Sequence, residues 1–145
     1  MLAAIVAIAV AGCGSSHKSP APTGQQQVEQ VLRSYLHAQT SGDAQTACSL
    51  LTDAAQRELE TLVLHAGNGL LTTLPSCQDA VGLVRAVAGS KLLQALSTAQ
   101  VTQVRVQGNH ATAEITDGTA FGQQQVSLDR TGNTWKIAGV PGLTG

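Results

Sequence analysis

Nine carboxylates, four histidines and three cysteines are the groups in this 145-residue chain that could move protons, attack a carbonyl or hold a metal. An acid–base site needs one such group inside a pocket and a donor opposite it, with pKa values tuned by burial. The acids fall elsewhere. Asp43, Asp53 and Asp79 stand at predicted helix starts, where capping explains them, and Asp117 and Asp129 stand at predicted turns. Glu114 is predicted on the strand face opposite Ala113 and Ile115, and Glu29, Glu58 and Glu60 fall outside the apolar helix stripes. His37 and His65 lie off their stripes, and His110 follows a Gly-Asn turn. No Ser/His/Asp order stands out, no G-x-S-x-G is present, and glycines 67 and 69 lack the Lys-Ser/Thr of a phosphate loop. Tyr35 lies on an apolar stripe and could turn its hydroxyl into a pocket as a proton donor, although a core tyrosine is the commoner use of such a position. The cysteines have no C-x-x-C spacing, and His65 is the only histidine between Cys48 and Cys77, so no zinc site is expected. These residues lead us to expect no enzyme, no metal and no cofactor.

Cys13 has different surroundings. Residues 1–12, MLAAIVAIAVAG, carry no charge and no proline. As a helix they would reach about 18 Å, too short for a bilayer core of about 30 Å, so they read as the apolar region of an export signal. The stretch ends in Val10-Ala11-Gly12-Cys13, which resembles the bacterial lipobox: a branched apolar residue, two small residues, then cysteine. The resemblance implies that the Cys13 thiol takes a diacylglycerol group and that cleavage after the small Gly12 leaves Cys13 first, with two or three acyl chains. At about 0.8 kcal/mol per buried methylene, more than one chain gives stable anchoring. No Lys or Arg precedes the apolar run, as a secretory signal requires, so the natural start is expected upstream of Met1; the alternative is a signal that does not work. Residues 13–24, rich in Gly, Ser and Pro, read as the lipidated cysteine and a flexible tether, leaving 25–140 for the folded domain.

Cys48 and Cys77 remain. In an exported chain an even remainder reads as one disulfide, and the closed loop of about 30 residues is worth about 3–4 kcal/mol in loop-closure entropy.

Those residues need elements to hold them. Thr23 and Gln26 form a capping-box pattern, after which Val28, Val31, Leu32, Tyr35 and Leu36 make one amphipathic stripe ended by Gly42. Asp43 is predicted to cap a short helix over 44–51 that turns Cys48 inward. Asp53 with Gln56 predicts the next cap, with a stripe of Ala55, Leu59, Leu62, Val63 and Ala66 ended at 67–69. Ser76 with Asp79 opens a fourth helix whose Cys77, Ala80, Val81, Val84 and Val87 share a face, and residues 90–97 add one or two further turns. From residue 100 the period becomes two: Thr102, Val104 and Val106, then Ala111, Ala113 and Ile115, then Val126 and Leu128, then Trp135 and Ile137. Turn residues at 108–109, 117–118 and 131–133 separate the runs. Helices followed by an antiparallel meander of about four strands predict an α+β domain with its helices packed on the sheet.

The segments VEQVLRSYLHAQTSGDAQTACSLLT and VSLDRTGNTWKIAGV carry a family resemblance. Together they look like the small exported actinobacterial lipoproteins with a nuclear-transport-factor-2-like, or ketosteroid-isomerase-like, fold, over residues 25–140. The resemblance implies a curved sheet wrapped by helices into a cone with a pocket, for which Tyr35 and Trp135 are the candidate lining residues. Such folds serve isomerases, hydrolases and members without activity, so fold alone does not fix function.

Composition narrows the partners. The net charge is −1, the eight Lys and Arg are scattered, and 2% of residues are aromatic, which leaves neither a phosphate-tracking stripe nor stacking platforms for nucleic acid. The expected protein is therefore lipid-anchored on the extracytoplasmic face of the cell membrane. It is read as a non-enzymatic module that binds a small apolar ligand or an envelope protein. The alternative is a ketosteroid-isomerase-like enzyme with Tyr35 as donor.

Overall fold

The structure is a computed structural model that describes residues 22–69, 71–116 and 122–139. The expected export signal, Cys13 and the part of the expected tether before residue 22 lie outside the described residues, as does the expected turn at 117–118. The described helices are α1 (Gly24–Ser41), α2 (Ala44–Ser49), α3 (Asp53–Ala66), α4 (Cys77–Val87) and α5 (Ser90–Thr98). The strands β1 (Gln100–Gln107), β2 (His110–Thr116), β3 (Gln123–Thr131) and β4 (Thr134–Ile137) follow. They form one open antiparallel sheet in chain order, so the domain is α+β with a four-stranded meander.

Local chemistry starts three helices as expected. Thr23 Oγ1 accepts from the Gln26 N–H while the Thr23 N–H donates to Gln26 Oε1, a reciprocal capping box on α1. Asp43 accepts from the Thr46 N–H at 3.0 Å and starts α2, and Ser76 with Asp79 repeats the box on α4. The α3 cap differs from expectation by one residue. Thr52, not Asp53, is the N-cap, with its hydroxyl accepting from the Ala55 N–H, and Gln56 instead donates to the Cys48 carbonyl at 2.8 Å. The cause is tertiary: the Thr52 N–H donates to the Ile137 carbonyl and the Ile137 N–H to the Leu50 carbonyl. That pairing pulls Leu51 out of α2 into a parallel bridge along β4 and covers part of an otherwise open sheet edge.

α1 ends at Gly42, whose φ of 82° is left-handed. The last turn of α1 has no basic residue of its own. Arg85 of α4 supplies one, donating to the Gln39 carbonyl at 3.1 Å and to the Thr40 carbonyl, where a cation also meets the negative end of the helix dipole. A Cβ on residue 42 would stand 3.1 Å from Arg85 Nε. Gly42→Ala is therefore expected to lose about 1–2 kcal/mol, from the left-handed backbone and a displaced guanidinium together. Urea unfolding measures this, and an unchanged midpoint would contradict it.

α1 covers the inner face of the sheet and touches both β1 and β4. Ala111, Ala113, Ile115, Val126, Leu128, Trp135 and Ile137 are buried on that face against Val28, Leu32 and Leu36 of α1, in one core. The α4 stripe stops short of expectation: Cys77, Ala80 and Val81 are buried, Val84 is half-buried, and Val87, the last residue of α4, is 84% exposed. Ala66, the expected last member of the α3 stripe, is also exposed.

β1 departs from strict alternation. Its register against β2 shifts between Thr102 and Arg105, so Gln103 and Val104 together oppose Ala113. This bulge puts Val101, Val104 and Val106 on the core side and leaves Thr102, expected inward, exposed. Gln103 carries the bulge at φ 51°, a left-handed position that suits glycine. Gln103→Gly should consequently raise stability by about 0.5 kcal/mol, the relief of the backbone exceeding the entropy of the added freedom. A lower urea midpoint would refute it.

Candidate functional site

The two cysteines come together as expected. α2 brings Cys48 and α4 brings Cys77, both buried, and a disulfide joins them over a sequence separation of 29. The Ser76–Asp79 box fixes the start of α4 and so the inward direction of Cys77 in its first turn.

The described carboxylates lie exposed or half-buried. The Thr46 hydroxyl and N–H hold the Asp43 carboxyl below its ordinary range. Asp129 pairs with His110 Nδ1 at 2.7 Å on the outer face of the sheet, and Glu29 pairs with Arg33 one helical turn along α1. Glu114 accepts from Gln123 across the β2–β3 ladder. Asp53, Glu58 and Asp79 are exposed and Glu60 is half-buried, so among the described residues no carboxylate is buried. His37 and His65 are exposed. Among the described residues, no three His, Cys, Asp or Glu side chains gather as a metal would require, and no helix is long and apolar enough to cross a membrane.

Tyr35 and Trp135, the candidate pocket residues, both stand in the core, 3% and 2% exposed. The Tyr35 hydroxyl accepts from Gln39 Nε2 at 2.8 Å. Burial pushes its pKa up to about 12 against the lowering effect of that hydrogen bond, which keeps it a neutral phenol at physiological pH. Trp135 has a different neighbour. Arg130, directly opposite it in the β3–β4 register, lays its guanidinium over the ring, 5.8 Å from the centroid. Such a contact contributes about 0.5–1 kcal/mol where it is partly exposed. Arg130 Nη2 donates to Asn133 Oδ1 at 2.7 Å, but Arg130 Nε and Trp135 Nε1 are buried with no hydrogen-bond partner.

Sequence reasoning did not single out Arg130 or Arg85. A signal for Arg130 was present: it continues the inward parity of Val126 and Leu128, where a cation is out of place. No signal marked Arg85, whose partners lie 45 and 46 residues away.

A shallow open depression runs along α3, lined by Ala54, Arg57, Glu58, Thr61, Leu62 and His65. It lies on one helix face and includes neither Tyr35 nor Trp135. No protein-family model matches this chain, and neither does any curated protein or any solved structure.

Proposed function

We propose that this chain is a lipid-anchored protein of the bacterial cell envelope whose domain, a nuclear-transport-factor-2-like roll, acts as a non-enzymatic binding or interaction module. The disulfide between Cys48 and Cys77 carries the reading, since a buried structural disulfide fits a chain matured in an oxidising, extracytoplasmic compartment. Val10-Ala11-Gly12-Cys13 supplies the route to that compartment and the anchor. The succession of helices and an antiparallel meander, with α1 across the inner face, is consistent with the roll. The surface positions of the described carboxylates favour binding over acid–base chemistry. They also leave an isomerase that used Tyr35 as donor without a described base.

The test is metabolic labelling with a fatty acid in a bacterium that processes lipoproteins, followed by membrane fractionation. The wild-type chain is expected to take the label and sediment with membranes, and Cys13→Ala to lose both. Label retained by Cys13→Ala would sink the lipobox reading.

A further inference from the structure

Arg130 sits on the core side of the sheet, yet among the described residues it has no counter-charge. Among the described residues the ion pairs are Arg33 with Glu29 and His110 with Asp129, and Arg130 belongs to neither. Its neighbours are the neutral Asn133 amide and the Trp135 ring. Asp129, adjacent in sequence, points to the opposite face and is held by His110. The same spot also has two buried N–H donors without acceptors, Arg130 Nε and Trp135 Nε1. Buried donors in folded proteins are almost always satisfied, and an unpaired cation beside them adds a demand for negative charge. One unmet donor could be met by a water. Two unmet donors and an uncompensated guanidinium in one place describe a site for an oxyanion with more than one acceptor oxygen.

We infer that Arg130 and Trp135 bind the carboxylate of a small, otherwise apolar molecule, one oxygen meeting the guanidinium edge and the other the indole N–H. This rests on the binding-module reading and names its ligand class. A carboxylate is planar and carries two acceptor oxygens, which suits a guanidinium edge and one further donor. An apolar body suits the surroundings, since Leu128 and Ile137, the next inward pair along the β3–β4 register, continue the inner face beside Arg130 and Trp135. Arg130 is itself half-buried and held by a cation–π contact and one hydrogen bond, whereas Trp135 Nε1 is buried, so the proposal requires the guanidinium to move off the ring before a ligand oxygen reaches the indole.

Trp135 is the one tryptophan of the chain, so its emission reports on the site directly. Full chain is titrated with sodium octanoate and with 1-octanol, which shares the tail and lacks the charge. Octanoate is expected to shift the emission saturably, with 1-octanol at least tenfold weaker. Arg130→Met should abolish that preference while leaving thermal unfolding nearly unchanged, and Arg130→Lys should keep part of it. If Arg130→Met does not fold, the octanoate-to-octanol ratio on the wild-type chain decides alone. Equal binding of the two probes, unaffected at Arg130, would overturn the carboxylate assignment and leave the apolar binding module standing. If neither probe perturbs Trp135, the assignment falls together with an apolar binding site at this end of the sheet.

Discussion

Cys48→Ala combined with Cys77→Ala is expected to lower the melting temperature by about 10–20 °C, with the unfolding still reversible and cooperative. The magnitude follows from the loop. A separation of 29 residues closes enough chain to remove about 3–4 kcal/mol of conformational entropy from the unfolded state. Domains of this size hold roughly 5–15 kcal/mol in all, so the cross-link is a large part of the margin. Alanine is the informative replacement. Both sulfurs are buried, at 7% and 6% residue exposure, and a serine hydroxyl left there without a partner would add its own penalty to the loss of the loop. The disulfide also carries packing information, because it ties α2 to α4 while the α2–α3 connection is tied to β4 through Leu50, Thr52 and Ile137. Reductant should reproduce the shift in the wild-type chain and leave the double variant unmoved. Identical melting of oxidised, reduced and variant protein would mean that the bond adds nothing to stability.

Trp135→Ala is expected to cost about 3–5 kcal/mol, comparable to losing the disulfide. Trp135 is 2% exposed and is the largest fully buried side chain in a core that otherwise holds Leu, Val, Ile and Ala with Tyr35 and the Cys48–Cys77 pair. Small side chains of the same core, such as Ala111 and Ala113, have no spare length with which to refill the space. Trp135→Phe should cost far less, about 1 kcal/mol, because most of the volume stays and a buried donor without an acceptor is removed. Equilibrium denaturation followed by circular dichroism separates these outcomes. Equal losses in the two variants would show that the indole N–H, rather than the ring volume, is what the fold depends on.

Much of the fold was legible in the chain because its information is local. A capping box needs residues three apart, an amphipathic stripe a period of 3.6, and a hairpin two strands of alternating residues around a Gly-Asn pair. Gly108 and Gly132 both supply the positive φ that such two-residue turns need, at 61° and 62°. Thr23, Asp43 and Ser76 capped their helices where their spacing placed them, and Cys48 paired with Cys77 as an even remainder suggests. The expected α3 cap failed where a distant strand intervened. Asp53 and Gln56 had the right spacing, but Ile137 claimed the backbone of Thr52 and moved the cap by one residue.

The candidate site was legible only in part. Tyr35 and Trp135 were readable as large inward side chains from their period, while what surrounds their polar atoms was not. The partner of a side chain that reaches across the domain is chosen by packing, and packing depends on residues far apart in sequence. Arg85 finding the carbonyls of α1, Leu51 bridging to Ile137, Gln103 bulging β1 and Arg130 stacking on Trp135 are all of this kind. The sequence by itself therefore determined which elements form, where most of them begin and which faces are apolar, since neighbours within a turn or a dyad decide those. Only the tertiary structure decided where a cation caps a helix it does not belong to, and where two buried donors and an unpaired guanidinium meet. Those positions depend on how the helices and the sheet are set against one another, which no spacing along the chain encodes.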